Sequence, residues 1–171
     1  MIELLIVIAV LGILAVAVLS AINPIEQINR SRDTGGRSDA EQLIGAVDRF
    51  YANNGYYPWQ IEPDELTDDI AWTAVGDLWT DGTTPVLDKL SGTGTNELKT
   101  SFTTRITDSD YNDLYVYNGG EDGESTYVCF NPASQQFATE AFNRCGSDEL
   151  PADFPASACG LDAENSFSCL P

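Results

Sequence analysis

The chain has 171 residues, 43% of them apolar, and sets 27 acidic side chains against 8 basic ones for a net charge of −19. That length suits one compact domain plus one further element, and the acidity argues against a nucleic-acid partner, whose phosphates it would repel. With no histidine in the chain, the commonest general base is missing; no nucleophile motif, phosphate-binding loop or redox cysteine pair takes its place, so a non-enzymatic role is expected. The charge is uneven. Residues 1–50 are close to balanced at −2, whereas residues 51–171 hold Lys89, Lys99, Arg105 and Arg144 against 21 acids, a net of −17. This half reads as a solvated acidic head.

Residues 4–22 are 19 residues without a charge. As a helix the run spans about 28 Å, close to the hydrocarbon thickness of a bilayer. It is apolar on every face, unlike a surface helix. A buried core rod is one alternative, although a small head has little need of one. A cleaved signal peptide is another, but the segment opens on Glu3 rather than on a basic residue, and its apolar run is too long. Glu3 is the informative side chain. A carboxylate at the edge of a span needs a partner, either the helix N-terminus or a positive group on another subunit.

Ile2-Glu3-Leu4-Leu5 and Gly12-Ile13-Leu14-Ala15 carry a specific pattern. They resemble the amino-terminal helix of type IV pilins and type II secretion pseudopilins, in which a glutamate precedes a long apolar run containing glycine. The similarity covers residues 1–27; Met1 stands where the family usually has leucine, and Ser20 where it usually has proline, with Pro24 four residues on. The resemblance implies that Glu3 pairs with the processed, methylated terminal amine of a neighbouring copy. It marks Met1, Glu3, Gly12 and Pro24 as assembly positions. It also implies a homo-oligomeric helical filament, drawn from the cytoplasmic membrane by pilus or secretion machinery and displayed at the cell surface. A pseudopilin of a secretion or DNA-uptake system, and a membrane-tethered extracellular binding domain, stay open as alternatives. Arg30, Arg32 and Arg37 follow the span, which by the positive-inside rule places the head in the cytoplasm. The cysteines and the family pattern favour the outside, and that orientation is expected.

Beyond Pro24 the pattern turns amphipathic. Leu43, Ile44, Val47, Phe50 and Tyr51 recur at spacings of three and four, with Asp39, Glu41, Asp48 and Arg49 on other faces. Gly55 is the expected stop. The organisation predicted is therefore a transmembrane or filament-core helix over 1–24, an amphipathic helix over 25–54, and an acidic head over 55–171. Pro24 and Gly35-Gly36 make the rod liable to bend or melt between residues 20 and 36, a continuous kinked helix being the alternative.

In the head, residues 64–70 and 85–90 suggest short helices, and residues 80–107 otherwise suit a solvent-facing loop. Trp59, Trp72 and Trp79 are expected to tie this region onto a sheet. Alternation at Phe102, Thr104 and Ile106, and Tyr- and Val-rich stretches at 114–118 and 126–131, predict strands, with a fourth at 136–142. The fold class expected is α+β, a long helix, apolar then amphipathic, packed on a small antiparallel sheet. Cys129, Cys145, Cys159 and Cys169 suggest two disulfides in an exported domain, and shortest loops favour Cys129–Cys145 and Cys159–Cys169. They would staple a terminal loop, 146–171, to the sheet. No cofactor is expected. Asp108, Asp110 and Asn112 alternate like the start of a calcium loop without its glycine or closing glutamate; Asp148, Glu149, Asp153, Asp162 and Glu164 are further oxygen ligands in reach of that idea.

Overall fold

The computed structural model describes residues 2–21, 23–63, 69–76, 79–92, 96–109, 111–121, 123–147 and 150–171. Helix α1 covers Ile2–Ala21 and α2 covers Pro24–Asn54. Asn23 separates them, with extended backbone (φ −90°, ψ 96°), and its side-chain oxygen accepts from the Glu26 N–H. Pro24 sits in the first turn of α2, where its missing donor and fixed φ do no harm. The helical run is thus interrupted at Asn23, inside the interval the sequence marks. It is not interrupted at Gly35-Gly36, where α2 runs on unbroken. Gly55 ends α2 in the left-handed conformation (φ 78°), its N–H donating to the Tyr51 carbonyl at 2.7 Å.

The head is α+β. A four-stranded antiparallel sheet runs in the order β1 (Ile70–Ala74), β2 (Leu114–Asn118), β3 (Tyr127–Phe130) and β4 (Ser168–Leu170). Helices α3 (Val86–Ser91) and α4 (Thr100–Ile106) lie between β1 and β2, and α5 (Gln135–Cys145) between β3 and β4. One core holds α2 to the sheet. Ala40, Leu43, Ala46, Val47 and Phe50 of α2 meet Leu114 and Val116 of β2 and Val128 and Phe130 of β3. Trp79, Val86, Leu87, Leu90, Leu98, Phe102 and Ile106 complete it, so residues 80–107 are less a solvent-facing loop than two short helices buried along one side. The opposite face of the sheet carries a second cluster, in which Tyr127, Cys129 and Cys169 are covered by Ala158, Phe154 and Phe167 of the C-terminal segment.

Two expected strands are helices. Phe102 and Ile106 are four apart, a spacing that fits alternation and a helical face equally. The helix wins in α4, where Thr103 and Thr104 hydroxyls donate back to the Thr100 carbonyl. Residues 136–142 belong to α5: Ser134 caps it through its hydroxyl oxygen, and Ala138 and Ala141 face inward. Besides β3, β2 pairs with β1, which takes in Ile70, the last residue of the stretch 64–70 expected as helix; residues 64–68 of that stretch lie outside the described residues. Of the three tryptophans, Trp59 and Trp79 enter the main core, while Trp72 stacks on Tyr115 on the other face.

The cysteines pair as Cys129–Cys169 and Cys145–Cys159, not by shortest loops. Register decides it. Residues 129 and 169 are direct partners across β3 and β4 with Cα atoms 4.0 Å apart, which leaves Cys145, the last residue of α5, to pair with Cys159.

Candidate assembly surface

Helix α1 exposes large apolar side chains around its whole circumference, among them Ile2 (75%), Leu11 (58%) and Leu19 (72%). None of the stretch Ile2–Ser20 is buried by the rest of the chain, and it is long and apolar enough to cross a membrane. Glu3 lies in its first turn, and at Gly12 on the same helix a Cβ would meet nothing within 4 Å beyond the local helix backbone. Met1 lies outside the described residues. Three of the four assembly positions therefore fall on two helices with their side chains in the open or, for Pro24, at the joint between them.

Below the joint, α2 is fastened to the head by carboxylates. Asp33 is fully buried, and its two oxygens accept from the Ala133 and Ser134 N–H groups at 2.8 Å each. Two turns earlier, Glu26 accepts from the Gln135 and Gln136 N–H groups at 3.2 and 3.5 Å. Between them Asn29 donates to the Ala133 carbonyl. Residues 26, 29 and 33 share one helical face: Glu26 accepts from the first two N–H groups of α5, Asp33 from the two N–H groups just before it, and Asn29 donates to the carbonyl between them. The Gln135 N–H is the main reason the Glu26 carboxyl is held below its ordinary pKa; burial opposes it, and Gln136 and Arg30 assist. The sequence signal was present in the acids of α2, but the donors they meet lie about a hundred residues away in the chain, where no local pattern reaches.

Farther along α2, Asp39 is not on a solvent face but buried against Arg105 of α4. Burial raises its carboxyl pKa, and the Arg105 charge works the other way. The Arg105 guanidinium lies over the Phe102 and Tyr111 rings, and its shielded Nε has no hydrogen-bond acceptor. Asp39, Arg105 and Tyr111 line a cleft of about 480 Å³ along α2, together with Gly35, Gly36, Arg32, Gln42 and Asn112.

Those calcium candidates that fall among the described residues form no metal-holding group. Asn112 turns its amide toward Asp33 at 3.4 Å, Asp108 sits in the turn after α4, and Asp110 lies outside the described residues. Asp153 accepts from the Ser125 N–H and the Tyr127 hydroxyl, and Asp162 caps a short turn at Asn165; Asp148 and Glu149 lie outside the described residues. Among the described residues no group of three or more His, Cys, Asp or Glu side chains is placed to hold a metal. Comparison with protein-family models, with curated proteins and with solved structures returns no match.

Proposed function

We propose that the chain is a structural subunit of an extracellular, type IV pilus-like filament, anchored in the cytoplasmic membrane by α1 before assembly and held in the filament by packing α1 against other copies. The observation that carries this reading is an apolar helix exposed over its full length and set off from the head by the extended joint at Asn23. Such a surface must be covered by lipid or by protein. Exchange of lipid for protein brings little net hydrophobic gain, so close packing and charge pairing have to supply the direction. Gly12 leaves room for the first, and Glu3, pairing with a neighbour's terminal amine, supplies the second. The disulfide-bonded head fits an oxidising exterior. Its charge keeps filaments apart.

Substitution of Glu3 by Ala separates this reading from a plain membrane anchor. The filament reading expects the variant to stay in the membrane fraction with at least a tenfold loss from the sheared surface fraction. Equal recovery of variant and wild type from sheared material would leave α1 as an anchor only.

A further inference from the structure

We propose that the first turns of α2 form a membrane-surface contact, with Ile25 and Ile28 set into the headgroup layer of the bilayer that holds α1. The inference rests on the membrane-anchored state of the filament reading and extends that state beyond the span. It begins in the helical pattern. The buried side of α2 runs through Gly36, Asp39, Leu43, Ala46 and Phe50 at steps of three and four. Traced back by the same steps, this stripe reaches Arg32, Ile28 and Ile25. The two isoleucines are 61% and 69% exposed. At this level α2 meets the head through Glu26, Asn29 and Asp33, whose bonds go to residues 133–136. The stripe thus stays apolar after it has left the core that requires it. Two β-branched side chains a turn apart in water gain nothing there, and isoleucine is not among the best helix formers.

Position in the chain identifies what covers them. Ile25 is four residues past Ala21, the last residue of α1, so chain length alone keeps it within about 14 Å of the end of that helix. The stretch Ile2–Ser20 matches the hydrocarbon layer in length, which puts its end at the headgroups. A helix that starts there with an apolar side can lay it about 5–10 Å into the boundary between headgroups and acyl chains. The extended Asn23 gives α2 a cap and a start of its own, so its direction is not dictated by α1. Nearby charges are engaged within the chain: Glu26 and Asp33 hold the N–H groups of residues 133–136, and Arg30 bridges Glu26 at 3.4 Å. The contact is therefore apolar, and a zwitterionic lipid surface suffices.

The test uses the full-length chain in phosphatidylcholine vesicles at high lipid excess. All four cysteines are paired, so one added cysteine takes a nitroxide label selectively. The label is placed in turn by L11C, I28C and A52C, Ala52 being exposed near the far end of α2. Power-saturation electron paramagnetic resonance compares collisions with oxygen, which concentrates in lipid, and with a nickel chelate, which stays in water. L11C should read as deep and A52C as aqueous, with the oxygen-to-nickel ratio of I28C at least about threefold above that of A52C. I28C equal to A52C while L11C stays deep overturns the contact and leaves the membrane anchor standing. L11C reading as aqueous removes both. Shielding of I28C from both reagents that fades as the chain is diluted in lipid gives this face to a second copy, and overturns the lipid contact.

Discussion

Helices α1 and α2 follow one another in the chain and treat apolar side chains in opposite ways. Along Ile2–Ser20 nothing is buried by the chain itself, whereas Ala40, Leu43, Ala46 and Val47 of α2 are fully enclosed by the sheet. The change happens at an extended residue, Asn23, followed at once by two carboxylates that grip the start of α5. The head therefore has its own core and its own two disulfides. The first helix has no internal reason to be apolar. What stabilises it lies in lipid or in another molecule, and the contrast teaches that its sequence answers to an environment rather than to the fold.

The contrast is sharpest under loss of a staple. Replacing Cys129 and Cys169 by Ser opens a link between residues 40 apart in sequence. This should lower head stability by about 4 kcal/mol on the chain-entropy scale, read by denaturant unfolding in detergent, while the α1 helical signal persists. Matched truncations come next. Leu43→Ala should destabilise the head by about 3 kcal/mol, and Leu11→Ala by under about 0.5 kcal/mol, since only the first leaves a cavity. Equal losses would mean that α1 packs on its own head. Asp33→Ala strips the Ala133 and the buried Ser134 N–H groups of their acceptor and should cost about 2 kcal/mol, visible as faster amide exchange at Ala133 and Ser134.

The smallest effect is on pH. Burial pushes the Asp81 carboxyl up, but the Lys89 ammonium and the bonds from Thr83 and Thr84 outweigh it and hold it far below the ordinary range. The Ser125 N–H chiefly lowers Asp153, and Glu26 is lowered as described. Each loses its proton more readily folded than unfolded. Their contribution is thus complete above the ordinary carboxylate values of about 4 and disappears as pH falls through the lowered ones. Asp39 and Asp48, raised mainly by burial, act in the opposite sense as pH rises through about 4 and above. The head should lose thermal stability on acidification below pH about 4, with D81N flattening that limb. The α1 helix in micelles should show no such dependence.

Legibility in the sequence followed the same divide. The apolar span, the amphipathic face through Leu43, Val47 and Phe50, and the Gly55 stop were all plain, because each is a local pattern repeated over several turns. Strands β2 and β3 announced themselves by Tyr and Val. Helices α4 and α5 did not, because over seven to eleven residues a Phe-x-x-x-Ile spacing serves either structure, and tertiary packing chose. The disulfide pairing depended on strand register, and the grip of Glu26 and Asp33 on α5 depended on residues about a hundred positions away. Neither follows from composition or spacing. Of the candidate site, α1 and its Glu3 could be read directly, whereas the exposure of Ile25 and Ile28 required knowing where along α2 the core ends.

The most direct measurement is electron microscopy of material sheared from the cell surface, with mass spectrometry to identify the chain and helical reconstruction to place it. The account expects filaments built of this chain with α1 bundled at the axis, Glu3 beside a neighbouring amino terminus, and acidic heads outside. Filaments in which α1 is not in the core, or a chain confined to membranes while its cells carry no filament containing it, would contradict the account.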